Sequence, residues 1–155
     1  MPLDFTRFLE KEYEVLIVFP MAGLSSRFTK AGYDKPKYML NVDSNTIFYH
    51  AINSFKLYFK EHEFLFIFRD IQDTDSFIDE ECHKLGLKNY TAVCLDEPTD
   101  GQAETVFIGL KKANIAESES ILIFNIDTFR PNFKLPKKLD LTEIDGYLEV
   151  FEAEG

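Results

Sequence analysis

The sequence predicts an α/β fold: a Rossmann-like, mostly parallel sheet with helices on both faces. Three observations predict it. Short apolar runs without polar alternation recur along the chain, which is how strands buried on both faces of a parallel sheet read. Between them lie segments whose apolar residues repeat with the helical period. The two kinds of segment alternate, as crossover units building a parallel sheet do. With 155 residues and no linker, repeat or low-complexity tract, one domain over 1–155 is expected.

Taken in order, the run at 15–19 is branched and aromatic throughout and reads as the first strand. Phe48, Ala51, Ile52, Phe55 and Phe59 then share one helical face, with Ser44 and Asn45 as cap candidates. Residues 64–68 form a second strand, and 77–85, ended by Gly86, a helix with its C-terminal glycine in place. The run at 90–95 is a weaker strand. Ala103, Val106, Phe107, Leu110 and Ala113 make the next helical stripe, with Thr99 and Asp100 placed to cap it. Residues 121–124 and, less regularly, 146–151 read as strands.

Composition excludes several partners. A net charge of -10 repels nucleic-acid backbones and anionic membranes, which are bound by clustered Lys and Arg. Within 24–40, however, Arg27, Lys30, Lys35 and Lys37 face a single acid, Asp34, so a small anion has a place to be held. The 16 Phe and 7 Tyr are spread along the chain and read as core filler. Cys82 and Cys94 are too few for a disulfide framework and lack zinc-site spacing, which suits a reducing compartment. No apolar run approaches the roughly 18 residues of a membrane helix, so a cytoplasmic protein is expected. A homo-oligomer stays open.

In open α/β sheets ligands sit beyond the carboxyl ends of the strands. After the first strand comes Pro20-Met21-Ala22-Gly23-Leu24-Ser25-Ser26-Arg27-Phe28. Small residues there let backbone N–H groups approach a phosphate, and Arg27 adds a forked cation. Neither the dinucleotide fingerprint nor the P-loop is present. Ten residues on, Lys35-Pro36-Lys37 carries two cations stiffened by a proline. Gly101 and Gln102 open the third helical segment, where a glycine admits a planar base and an amide can read its edge. Asp127 follows the strand at 121–124, a suitable place for a single carboxylate on Mg2+. His50, His62 and His83 share no metal-ligand spacing and are assigned no chemistry. Any one of these residues alone reads as an ordinary loop charge or capped turn. Their joint position at strand ends argues for a site.

Four segments in order resemble the sugar-phosphate nucleotidyltransferase family: residues 19–28, Lys35-Pro36-Lys37-Tyr38-Met39-Leu40, Pro98-Thr99-Asp100-Gly101-Gln102-Ala103 and Asn125-Ile126-Asp127. The resemblance implies the nucleotide-diphospho-sugar transferase fold type. It also implies attack of an acceptor phosphate on the α-phosphorus of a nucleoside triphosphate, with pyrophosphate leaving. Arg27 and Lys37 would be catalytic, Arg27 on the β and γ phosphates and Lys37 on the α-phosphate. Met21, Ala22, Gly23, Ser25, Ser26, Gly101 and Gln102 would bind the nucleotide, and Asp127 would carry Mg2+. The Met-Ala-Gly-Leu form looks most like members serving capsule and lipooligosaccharide synthesis. The partners implied are a nucleoside triphosphate and a phosphorylated small-molecule acceptor.

The chain departs from the family at Ser25, where a glycine is usual. Complete members also continue further, so truncation before the acceptor-binding part is expected. Two alternatives stand beside the enzyme. One is a non-catalytic nucleotide-binding module, the other a cytidylyltransferase for a non-sugar phosphate such as phosphocholine. A glycosyltransferase usually shows two acids flanking one residue where this chain has Asn125-Ile126-Asp127.

Overall fold

The computed structural model describes residues 14–23, 30–136, 144–150 and 152. The chain divides into a unit Glu14–Lys134 and a second made of Met1–Tyr13 with Leu135–Gly155. The first unit carries the strands β1 (Leu16–Pro20), β2 (Asn41–Val42), β3 (Asn45–Thr46), β4 (Phe64–Phe68), β5 (Tyr90–Cys94) and β6 (Ile121–Ile123). The α-helices lying wholly within its described residues are α1 (Ile47–Asn53), α2 (Thr74–Leu85) and α3 (Gln102–Lys112). β2 and β3 form a small antiparallel pair. The other four strands make one parallel sheet in the order β5-β4-β1-β6.

β1 and β4 are buried on both faces, as their unbroken apolar sequences require. Alternation of side chains divides the core into two chemically different halves. On one face Phe19, Phe64 and Phe66 meet Phe48 of α1 and Phe55 just beyond it, with Phe55 edge-on to Phe19 at 5.6 Å and Phe48 at 5.2 Å from Phe66. On the other, Leu16, Val18, Leu65, Ile67 and Val93 pack with Val106 of α3, and Leu110 and Ala113 close its edge. Helices therefore cover both faces. The Phe excess is core filler of the first face in particular.

The expected elements recur with shifted ends. α1 is capped by Thr46, whose hydroxyl oxygen accepts the Tyr49 N–H at 3.0 Å, and not by Ser44 or Asn45. Asn45 is instead held in the β2-β3 pair, a hairpin too short to leave a periodic signal. α2 begins at Thr74, and Gly86 ends it in the left-handed conformation at φ 76. α3 is capped by Gly101 without a side-chain bond. Thr99 and Asp100 lie before it, where Thr99 meets the Thr105 hydroxyl and the Asp100 N–H donates to Glu104. Phe107, expected on the inner stripe, is 58% exposed under the Lys111 ammonium. The inner face of α3 is instead set by Thr105, Val106 and Gly109. At Gly109 an added Cβ would lie 2.6 and 2.8 Å from the γ-carbons of Ile67, so the helix approaches the sheet by lacking a side chain. Of the expected strand at 146–151, the described residues 146–150 pair with nothing as a strand, because apolar alternation supplies a face but not a partner backbone. Among the described residues no helix is long and apolar enough to cross a membrane.

Candidate functional site

The strand order reverses between β1 and β6: from β1 the chain moves outward through β4 and β5, then returns to β1's other side. The loops leaving β1 and β6 must part at such a point, and a crevice opens between them. A cleft of about 360 Å³ lies there, walled by Met21, Ala22, Lys37, Gly101, Gln102 and the residues 125–127. A second cavity of about 340 Å³ lies at the opposite, amino end of the strands, rimmed by Glu14, Glu61, Glu63 and Glu119. That acidic rim disfavours anions. Its His62 is a buried structural group whose Nδ1 sits 3.2 Å from the Val15 backbone.

The floor of the first cleft continues β1. The Met21 N–H donates to the Ile67 carbonyl at 2.8 Å, extending the pairing with β4 one residue beyond the strand. Met21 and Ala22 are buried, whereas Gly23 is exposed and a side chain there would meet nothing. Ser25, Ser26 and Arg27 lie outside the described residues.

One wall is Pro36–Leu40. Pro36 has an extended ψ of 145, the turn Lys37–Met39 is a single 3-10 turn, and Leu40 accepts the Ile47 N–H at 2.9 Å. Tyr38 is driven into the core at 2% exposure, which leaves its neighbour Lys37 facing outward. The Thr74 hydroxyl donates to the Ile71 carbonyl at 2.6 Å, so at the 3.1 Å contact with Tyr38 the phenol is the donor. Burial pushes the Tyr38 phenol above its ordinary pKa against the opposing pull of Thr74, with the Asp70 charge adding to the rise. It stays a neutral donor. Lys35, the other candidate cation, is exposed.

The far wall is the loop after β6. The Phe124 N–H still pairs with the Val18 carbonyl at 3.0 Å, and the Thr128 N–H closes a turn on the Asn125 carbonyl at 3.2 Å. Within that turn Ile126 is buried at 3% exposure, a plug that turns Asn125 and Asp127 toward the cleft on either side of it. The Lys37 Nζ reaches Asp127 Oδ2 at 2.5 Å, across 90 positions of sequence. Both side chains are partly exposed, 31% and 45%, a setting in which ion pairs stabilise a fold by no more than about 1 kcal/mol.

The third wall is the start of α3. Gly101 is exposed with open space where a Cβ would stand, and Gln102 donates its amide to Asn125 Oδ1 at 2.6 Å. The loop after β6 therefore receives two bridges, a charged one from Lys37 and a neutral one from Gln102. Lys37, Gly101, Gln102 and Asp127, chosen from sequence, come together around one cleft with Met21, Ala22 and Gly23. Asn125 and Tyr38 are additional. Both stand inside the motifs singled out by sequence, but nothing in their type marked one as a cleft amide and the other as a core anchor.

Among the described residues no three His, Cys, Asp or Glu side chains are grouped to hold a metal. Asp127 offers one carboxylate. Mg2+ is commonly held by one or two carboxylates and completed by waters and substrate phosphates, so the donor set fits that ion with a phosphate beside it.

No family model and no curated protein matches the chain. Among solved structures, the chain is similar to the nucleoside-diphosphate-sugar pyrophosphorylase from Vibrio cholerae RC9, at 50% sequence identity and a TM-score of 0.80. The match covers 90% of this chain and 57% of that one, so the chain spans little more than half the length of this relative. The α/β fold and parallel sheet are shared with it.

Proposed function

We propose that the chain carries the nucleotide-binding, catalytic portion of a sugar-phosphate nucleotidyltransferase. It would transfer a nucleoside monophosphate from a nucleoside triphosphate to a sugar phosphate in the cytoplasm, for surface polysaccharide synthesis. The observation that carries the reading is the meeting of Lys37 with Asp127 at the β1/β6 crevice. A cation able to neutralise a phosphate and a carboxylate able to hold Mg2+ stand at one point, in a chain 50% identical to a pyrophosphorylase.

On this reading an oxygen of the acceptor phosphate attacks the α-phosphorus, the bond from that phosphorus to the α-β bridging oxygen breaks, and pyrophosphate leaves with the electron pair. Little covalent chemistry falls to the protein. Its task is to orient the two phosphates in line and to stabilise the charge spread over the phosphoryl oxygens. Lys37 would do this at the α-phosphate, released from Asp127 when phosphate arrives. Arg27 would hold the β and γ phosphates, and the backbone of Met21, Ala22 and Gly23, with Ser25 and Ser26, would follow the nucleotide. Gly101 would admit the base and Gln102 lie at its side. Asp127 would ligate Mg2+, which when bound neutralises charge on the phosphates.

The test is pyrophosphate release on mixing the chain with UTP, CTP, ATP, GTP or dTTP, Mg2+ and a panel of sugar 1-phosphates and phosphocholine. Release with one nucleotide and acceptor pair is the expected result, and it identifies both. Magnesium-dependent nucleotide binding without release from any pair would make the chain a binding module instead.

A further inference from the structure

Asn125 and Gln102 form an amide pair whose use the phosphate chemistry leaves unexplained. Both side chains are exposed to the cleft. One N–H of Gln102 is committed to Asn125 Oδ1 at 2.6 Å. That bond fixes which way both amides face: Gln102 keeps its carbonyl oxygen and a second N–H, and Asn125 keeps both N–H donors. The pair is uncharged, and it offers donors and acceptors side by side. A phosphate would use only the donors of such a surface, whereas hydroxyl groups, each of which both donates and accepts, can use the donors and the free carbonyl oxygen together.

Position narrows the ligand further. Asn125 and Asp127 are two residues apart, so their Cα atoms are at most about 7 Å from each other. Whatever the amides touch is therefore close to the phosphate at Lys37 and Asp127. In both substrates of the proposed reaction, the group next to the reacting phosphate is a sugar ring. The turn holding Asn125 is itself fixed, by the buried Ile126 and by the bond from Thr128 to the Asn125 carbonyl.

We infer that Asn125, oriented by Gln102, is a specificity-determining residue that recognises ring hydroxyls of the sugar adjoining the reacting phosphate. This rests on the nucleotidyltransferase reading. The shared chemistry is a hydroxylated ring one ester bond from phosphorus, either the ribose of the nucleotide or the ring of the acceptor.

The experiment is calorimetric titration, in Mg2+, of the wild-type chain and of the Asn125→Leu and Gln102→Leu variants. The probes are UTP against 2′-deoxy-UTP, CTP against 2′-deoxy-CTP, and glucose 1-phosphate against its 2-deoxy and 3-deoxy analogues. The wild type is expected to bind one hydroxylated probe roughly five- to tenfold more tightly than its deoxy partner, the scale of one hydrogen bond. Asn125→Leu should bring the hydroxylated probe down to the deoxy level while leaving the deoxy probe unchanged, and Gln102→Leu, at a position that would also lie beside the base, should narrow the ratio between the two members of the pair. A collapse in the nucleotide series identifies ribose, and one in the glucose series the acceptor. Equal weakening of both members of every pair, or no change in either, overturns the inference while leaving the nucleotidyltransferase reading intact. A wild-type chain with melting behaviour of a folded protein that binds none of the triphosphates removes that reading and this inference together. Both substituted residues are exposed, so thermal melts within a few degrees of wild type are expected and show that the variants fold.

Discussion

At the scale of single residues, Lys37 and Cys82 show opposite balances between stability and chemistry. Lys37 pairs with Asp127 in a partly exposed setting, so Lys37→Ala should change unfolding free energy by about 0.5 kcal/mol or less. On the proposed function, binding of magnesium triphosphate should nevertheless weaken tenfold or more, because Lys37 would no longer supply a charge-assisted contact to phosphate. Urea unfolding and calorimetry on the same sample check the two halves; a variant that unfolds would make Lys37 structural. Cys82 is buried in α2, and burial, aided by the charges of Asp79 and Glu81, pushes its thiol from 9.0 to about 12. A raised folded pKa means the folded state keeps a proton that the unfolded chain gives up. Its stabilising contribution is complete below pH 9 and is lost as pH rises from 9 toward 12. Between pH 8.5 and 10.5 the wild type should lose about 2 kcal/mol on this account, and Cys82→Ala should lose correspondingly less over the same interval, measured by urea midpoints.

At the scale of elements, α3 owes its position to what it lacks. Alanine is the better helix former by about 1 kcal/mol, so an exposed glycine in this helix would gain from the change. At Gly109 the new methyl would overlap Ile67, and overpacking costs about 1–3 kcal/mol. Gly109→Ala is therefore expected to destabilise despite its propensity, and an increase in thermal stability would show that α3 can retreat from the sheet freely. α1 depends on Thr46 in two ways: its hydroxyl accepts the Tyr49 N–H and donates to Glu81 at 2.5 Å. Thr46→Ala should cost about 1–2 kcal/mol, more than a surface cap alone, since Glu81 is 8% exposed and loses a donor. Strand identity and α2 were legible because unbroken apolar runs and a terminal glycine are local signals. The Thr46 cap and the outward turn of Phe107 were not, since each depends on how closely a helix meets the sheet. The candidate cleft was legible as segments: Lys37, Gln102 and Asp127 were chosen as residues near strand ends, and the structure brings them to one cleft. That Lys37 would lie on Asp127 and Gln102 on Asn125 follows only from strand order, which brings the ends of β1 and β6 together.

At the scale of the whole molecule, the excess of acid sets the conditions under which an anion can enter. The chain carries a net charge of -10, and the ion pairs Lys37 with Asp127, Lys84 with Glu81 and Lys112 with Asp96 each keep at least one partner open to solvent. Pairs of that kind contribute little, so mutual repulsion of unpaired carboxylates is the larger electrostatic effect on folding. Raising NaCl from about 0.02 to 0.2 M shortens the screening length from roughly 20 Å to below 10 Å, which relieves this repulsion more than it weakens contacts at hydrogen-bond distance. The melting temperature is expected to rise with salt over that range, followed by circular dichroism. The same repulsion opposes a free triphosphate, and Lys37 begins already neutralised by Asp127. Chelating Mg2+ with EDTA should therefore weaken triphosphate binding by at least tenfold at low salt, and by a smaller factor at 0.2 M NaCl, where the long-range part of the repulsion is screened. An EDTA effect of equal size at both salt concentrations would place the ion's whole contribution inside the cleft, at Asp127 and the phosphates.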